Sequence, residues 1–376
     1  MIDLLPNSSI VSTLYLKRIL SLSFVVIIAI IFIVGPGVQT ANANYAFFKK
    51  WGGFGTGDGQ FNGIMDTVAD RSQVYTVEIS SNRIQKFLLA NSCPTGTTQV
   101  VAGVCFVTKW GQLGSGNGQF NQSKGLGIDR SGNIYVTEIN NNRVQMFKGD
   151  GTFIRTWGTQ GSGNGQFQSP GDVAVDSREN VYVADTRNHR IQKFQFANPC
   201  PTGTTQVVAG VCFVTKWGTQ GTGDGQFQTP HTIAIDRQRN LYVGEWSSER
   251  IQKFKLADSC PTGTTQVVAG VCFVTKWGTP GTGDGQFKGI LGVAVDRDGN
   301  VYVSERGNTR VQKFQFANPC PTGTTQVVAG VCFVTKWGTP GTGDGQFQGP
   351  NGLDVDRSGK VYVTDIGSTI QAFSPP

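Results

Sequence analysis

The sequence predicts an all-β protein, a six-bladed β-propeller in which six four-stranded blades close into a ring. Three observations predict it. Trp-Gly pairs recur at Trp51, Trp110, Trp157, Trp217, Trp277 and Trp337, spaced by 59, 47, 60, 60 and 60 residues. Within each unit, short runs of Val, Ile, Tyr and Phe alternate with polar residues at period two, bounded by Gly, Asn, Asp and Pro, which is the pattern of half-buried strands. After residue 44 no stretch shows a helical period. A unit of about 40–50 residues with four strands is a propeller blade, which buries its apolar faces only when neighbours stack on it.

Residues 1–43 stand apart from the repeats. Lys17 and Arg18 precede an apolar stretch from Ile19 to Val34, Gly35-Pro36-Gly37 then breaks any helix, and Ala41-Asn42-Ala43 supplies the small residues of a cleavage site. That layout is a secretory signal peptide cleaved after Ala43. The rival reading is an uncleaved N-terminal membrane anchor, but the apolar stretch gives only about 24 Å of helix against a hydrocarbon core of about 30 Å. Either way residues 44–376 form the propeller and lie outside the cytoplasm, secreted or at the cell surface.

The fifth unit shows the strand pattern. Gly292–Asp296, Val301–Glu305, Arg310–Phe314 and Phe333–Trp337 are apolar-alternating segments, joined by turns through Asp298-Gly299-Asn300 and Asn308. The sixth unit stops at Gln371-Ala372-Phe373-Ser374-Pro375-Pro376, one strand short. Phe47–Trp51 has the character of the missing outer strand, so the N-terminal strand is expected to close the ring without exposing a sheet edge.

The longer units share an insert. The 19 residues CPTGTTQVVAGVCFVTKWG occur four times without change, from Cys93, Cys200, Cys260 and Cys320, and hold all eight cysteines. The 47-residue unit lacks the segment, so it is an addition to a blade of about 45 residues. Eight cysteines allow 105 pairings. Identical copies far apart on a ring favour the local one: Cys93–Cys105, Cys200–Cys212, Cys260–Cys272 and Cys320–Cys332. Zinc is a poor alternative, since two cysteines without a neighbouring histidine do not complete a four-ligand site. Each insert reads as a stapled hairpin with turns at Pro94–Gly96 and Ala102-Gly103, four ears projecting from one rim. They serve either as rigidifying elements or as a docking surface.

The unit KWG-x-x-G-x-G-x-GQF, followed by an apolar strand ending in Asp, then GN-VYV-x-D and N-x-RIQKF, resembles the NHL repeat. Asp185-Thr186-Arg187-Asn188-His189-Arg190 is close to the Asn-His segment that names that family. The resemblance spans residues 47–373. It implies the propeller fold and leaves function open among scaffolds, protein or RNA binders and a few lyases. The zinc-binding RING domain of the animal ubiquitin-ligase members has no counterpart here.

Most repeated residues read as structure. An acid ends the second strand of every unit (Glu78, Glu138, Asp185, Glu245, Glu305, Asp365), and an Arg opens the third in all but the sixth, which has Thr369. This spacing suits a charge-assisted hydrogen bond across a tight turn. The Gly-x-Gly-x-Gly-Gln-Phe loops offer too few oxygens for calcium and precede no helix that would cradle phosphate, so they read as crossovers between blades.

Positions where the units differ are the candidates for function. At the innermost strand they include Met65, Asp66, Lys124, Asp172, His231, Asn351 and Asp354, gathered at the mouth of the central channel. The best reading is an extracytoplasmic, non-catalytic binding or interaction module, its ligand presented at the channel mouth or the insert rim. No cofactor is required, although the acids and His231 could hold a channel Ca2+ or other divalent cation. The alternative is a metal-dependent lyase- or lactonase-like propeller enzyme. The resemblance sets its terms: NHL-like amidating lyases use several channel histidines, and this chain has only His189 and His231. The expected partner is an extracellular protein or cell-surface ligand. The mature chain carries 30 basic and 24 acidic residues, spread over the repeats without a concentrated basic run, which argues against nucleic acid. Membrane contact would come only through an uncleaved leader.

Overall fold

The computed structural model describes residues 45–376, so the leader assignment lies outside the described residues. Apart from the short parallel pair Thr339–Pro340 and Gln346–Phe347, the described strands form six antiparallel sheets, each a blade, arranged so that every inner strand lies beside the inner strands of two neighbours. The inner strands are Ile64–Asp70, Ser123–Ile128, Pro170–Val175, Pro230–Ile235, Ile290–Val295 and Pro350–Val355, numbered here as blades one to six. The first and last are in contact, so the ring is continuous. On the outer side of the sixth sheet, Ala46–Gly52 runs antiparallel to Thr369–Ser374, with Trp51 opposite Ile370. The one helical turn among the described residues is the 3-10 segment Thr186–Asn188.

Period-two patterning decides the packing. Alternate residues of each strand point to opposite faces of the sheet, and both faces of every blade meet a neighbour. The core is therefore six separate seams rather than one centre. Between blades three and four, for example, Tyr182, Ile191 and Trp217 meet Phe227, Ile233, Val243 and Phe254, all buried. Aromatic edges dominate these seams: Trp217 and Phe254 meet at 5.9 Å and 63°.

In blades one to five the acid–arginine pair locks the crossover loop to its blade. In blade three, Arg190 donates from Nε to Asp185 at 2.7 Å, from Nη1 to the Ser162 carbonyl at 2.6 Å, and from Nη2 to the carbonyls of Gly163 and Gln166. Gln192 completes the lock by donating to the Gln166 carbonyl and accepting from Gly165 N–H. Asp185 is fully buried, so its charge depends on these donors. Blade six, with Thr369, closes the corner differently: Asp365 accepts from the backbone N–H groups of Gln348 and Gly349.

All four expected disulfides are present, and each joins cysteines 12 positions apart. The hairpins have the expected turns, but they do not stand clear of the ring. Thr98–Val101 lies antiparallel to Val104–Trp110 as a fifth, outermost strand of blade one, and the same is true of Thr205–Val208, Thr265–Val268 and Thr325–Val328. One of its valines turns into the seam. A methyl added at Gly59 would stand 2.5 Å from Val100, and one at Gly225 2.7 Å from Val267, so the neighbouring crossover loop must carry glycine there. At Gly118 and Gly345, which face blades without inserts, the same space is open.

Candidate functional site

The channel is built from the inner strands, and its polar side chains first satisfy backbone. Asp66 accepts from its own Thr67 N–H at 2.8 Å and from Leu126 N–H of the next blade at 2.9 Å. Asp172 accepts from Val173 N–H at 2.7 Å, Ile233 N–H at 2.8 Å and the Thr232 hydroxyl at 3.1 Å. Asp354 accepts from Val355 N–H at 2.8 Å and Ala69 N–H at 2.7 Å. Each carboxylate thus bridges its own blade to the next, because neighbouring inner strands splay and cannot form a ladder with one another. Thr232 does the same with its hydroxyl, accepting from Val293 N–H at 3.1 Å.

Six of the seven candidate residues gather at one end. Met65, Asp66, Lys124, Asp172, His231 and Asn351 line a small space of about 20 Å³, room for a single water molecule. Asp354 lies further along, where the channel opens at its other end. His189 sits in the turn after the 3-10 segment, in the left-handed region at φ 53°, and accepts from Thr229 N–H at 3.4 Å. It takes the part that Asn82 and Asn142 play in other blades.

At the narrow end, Lys124 donates to His231 Nδ1 at 3.0 Å. Burial, aided by the Lys124 charge, holds the imidazole well below its usual pKa. A neutral ring with its proton on Nε2 is the tautomer that accepts from the ammonium. Burial brings Lys124 down to about 8, opposed by the charges of Asp172 and Asp66. Burial also raises Asp172 to about 6 and Asp354 to about 7, and lifts Asp66 well above the carboxylate range, with Asp172 adding repulsion. Asn351 donates to the Ile64 carbonyl at 2.9 Å, while its Oδ1 is buried with no partner among the described residues.

The Lys124 ammonium supplies the positive charge that the neighbouring acids would otherwise draw from a metal ion. Among the described residues, no three of His, Cys, Asp and Glu are grouped to hold one. Sequence reasoning missed Trp246, whose ring lies 5.7 Å from that of His231 and is about one-third exposed. The signal was available: blades one, two, three, five and six carry Ile79, Ile139, Thr186, Arg306 and Ile366 at that position.

The family model for the NHL repeat matches residues 167–194 and 287–314, the same stretch of blades three and five. No curated protein matches the sequence. Among solved structures, a streptogramin B lyase is 12% identical, covering 87% of this chain and 97% of its own, with a TM-score of 0.49. A Bacteroides thetaiotaomicron protein of unknown function is 15% identical over 86% of this chain and 73% of its own, at 0.50. A gluconolactonase from Xanthomonas campestris is 12% identical over 84% and 88%, at 0.49. At such identities the likeness concerns the fold.

Proposed function

We propose that this chain, an NHL-repeat β-propeller, is an extracytoplasmic binding module that performs no chemistry of its own. One observation carries the reading: each of the three channel aspartates, Asp66, Asp172 and Asp354, accepts at least one hydrogen bond from its own strand and at least one from the next blade. A carboxylate held in this way is poorly placed to act as a base, a nucleophile or a metal ligand. The groups left to meet a ligand are those at the narrow mouth: the edge of His231 and the exposed face of Trp246, with Lys124 and the buried Asn351 oxygen behind them. A polar cluster beside an indole suits recognition of an extracellular protein or a cell-surface ligand, since aromatic anchors dominate such contacts.

Four disulfides in a chain that already has an extensive core support an oxidising compartment. No helix among the described residues is long and apolar enough to cross a membrane.

Cross-linking of the purified protein to intact cells tests the reading. Capture of a discrete surface component should fall in a Trp246→Ala variant that keeps the wild-type melting temperature. A thermal-shift series with Ca2+, Zn2+ and Mn2+ tests the competing one. Stabilisation by a metal that disappears in Asp354→Ala would turn the assignment toward a metalloenzyme.

A further inference from the structure

At the end of the channel away from Lys124 and His231, the turns that follow the inner strands surround a bowl of about 540 Å³. Five of these turns read Asp-Arg: Asp70-Arg71, Asp129-Arg130, Asp236-Arg237, Asp296-Arg297 and Asp356-Arg357. Blade three has Asp176-Ser177 instead.

The aspartates do not generally serve the arginines beside them. Asp129 accepts from Ser131 N–H, from the backbone and side chain of Asn133, and from the Tyr135 hydroxyl. Asp236 and Asp296 are engaged in the same way by Asn240 and Tyr242, and by Asn300 and Tyr302. Arg71, Arg130, Arg237 and Arg297 are exposed, and among the described residues they make no ion pair and no side-chain hydrogen bond. Arg357 differs, because Asp70 of blade one holds it at 2.8 Å.

Blade order then gives the pattern. In a ring of six, blade one faces blade four and blade two faces blade five. The unpaired arginines therefore form two neighbouring pairs, Arg71 with Arg130 and Arg237 with Arg297, opposed across the bowl. The two interruptions, Ser177 of blade three and the neutralised Arg357 of blade six, also face each other.

We propose that this bowl binds a two-ended anion, a small molecule with a carboxylate or phosphate at each end, one end held by each arginine pair. The guanidinium group presents a planar fork of donors that matches such oxyanions. The volume lies within the range of about 300–1,000 Å³ usual for small-molecule sites. The aspartates beneath repel an anion that sinks deeper, which keeps the ligand at the level of the rim. This site lies at the opposite end from the Trp246 mouth, so the two assignments stand or fall separately.

Calorimetric titration of the full chain at low salt tests the proposal. Adipate is compared with hexanoate, and tripolyphosphate with orthophosphate, so that the two arms separate carboxylate from phosphate chemistry. In at least one arm the two-ended anion should bind about tenfold or more tightly than its one-ended counterpart, because the second contact is intramolecular. Arg130→Ala and Arg297→Ala should each abolish that preference. Both remove exposed, unpaired side chains, so the melting temperature should not change. Arg178→Ala, which removes an exposed arginine that does not line the bowl, should leave the preference intact. Equal affinity within both pairs of anions, no binding by any of the four, or an unchanged preference in Arg130→Ala would each overturn the proposal.

Discussion

The seams of this ring solve one packing problem in three ways. Between blades six and one, two and three, three and four, and four and five, the outer end of the seam is covered by an insert valine such as Val100, Val207, Val267 or Val327. Between blades five and six no insert exists, and Tyr45 takes its place. It stacks on Trp337 at 4.6 Å and 17°, and its hydroxyl meets that of Tyr302 at 2.7 Å. Between blades one and two neither is present, and Phe153 and the partly buried Trp110 line that seam. The cysteine hairpins thus cover four of the six seams.

The corner locks should respond most strongly to substitution. Arg190→Ala in an insert-bearing blade leaves the buried Asp185 without its charged partner and should cost about 3–5 kcal/mol. Thr369→Ala, at the matching position of blade six, should cost less than about 0.5 kcal/mol. Urea unfolding of both variants measures the contrast, and comparable losses would remove the distinction between the two kinds of corner.

Next comes the staple. Cys200→Ala/Cys212→Ala opens a loop of 12-residue separation and should cost about 3 kcal/mol in the chain-entropy model. Hydrogen exchange should rise at Val207 and Gly165, on the seam between blades two and three. Exchange unchanged at that seam would show that the valine holds its place without the disulfide.

Gly225→Ala and Gly118→Ala separate packing from backbone strain. Both glycines have φ near +75°, at 74° and 77°, so the left-handed penalty cancels between them. Only Gly225 faces an insert valine, and its variant should lose about 1–3 kcal/mol more through overpacking. The smallest effect belongs to Tyr45→Phe, which keeps the stack on Trp337 but gives up the hydroxyl pair with Tyr302. Its expected cost is about 1 kcal/mol in thermal or urea unfolding.

Much of this architecture was legible because each blade obeys local rules. Strand alternation, the turns at Pro94–Gly96 and Ala102-Gly103, and the Glu78–Arg83 spacing all concern residues within one unit. What crosses between units was hidden. Nothing in the sequence says that Val100 reaches Gly59, or that Asp66 and Asp354 accept from backbone N–H groups of the following blade; a sequence displays side chains and not the free donors of a splayed strand. Lys124 and His231 were found as deviations from the repeat, but their mutual hydrogen bond needs blades two and four on the same channel. The Asp-Arg turns were visible five times over. They passed for evenly spread charge because only the ring reveals that Arg71, Arg130, Arg237 and Arg297 face a common opening.

One bridge at every step around the channel points the same way, although Ser123 of blade two also reaches back to the Glu78 carbonyl of blade one. Asp66 reaches from blade one to two, Asp172 from three to four, Thr232 from four to five, and Asp354 from six to one. Hydroxyls of the second strands fill the remaining steps, Thr137 bonding to the Gly171 carbonyl and Ser304 to that of Asn351. Such a circuit has no terminal unit that can fray while the others hold, unlike an open stack of repeats. Loss of any one blade removes a giver for one neighbour and a receiver for the other. The ring is therefore expected to melt as one object, with stabilisation of any single seam shared by all six.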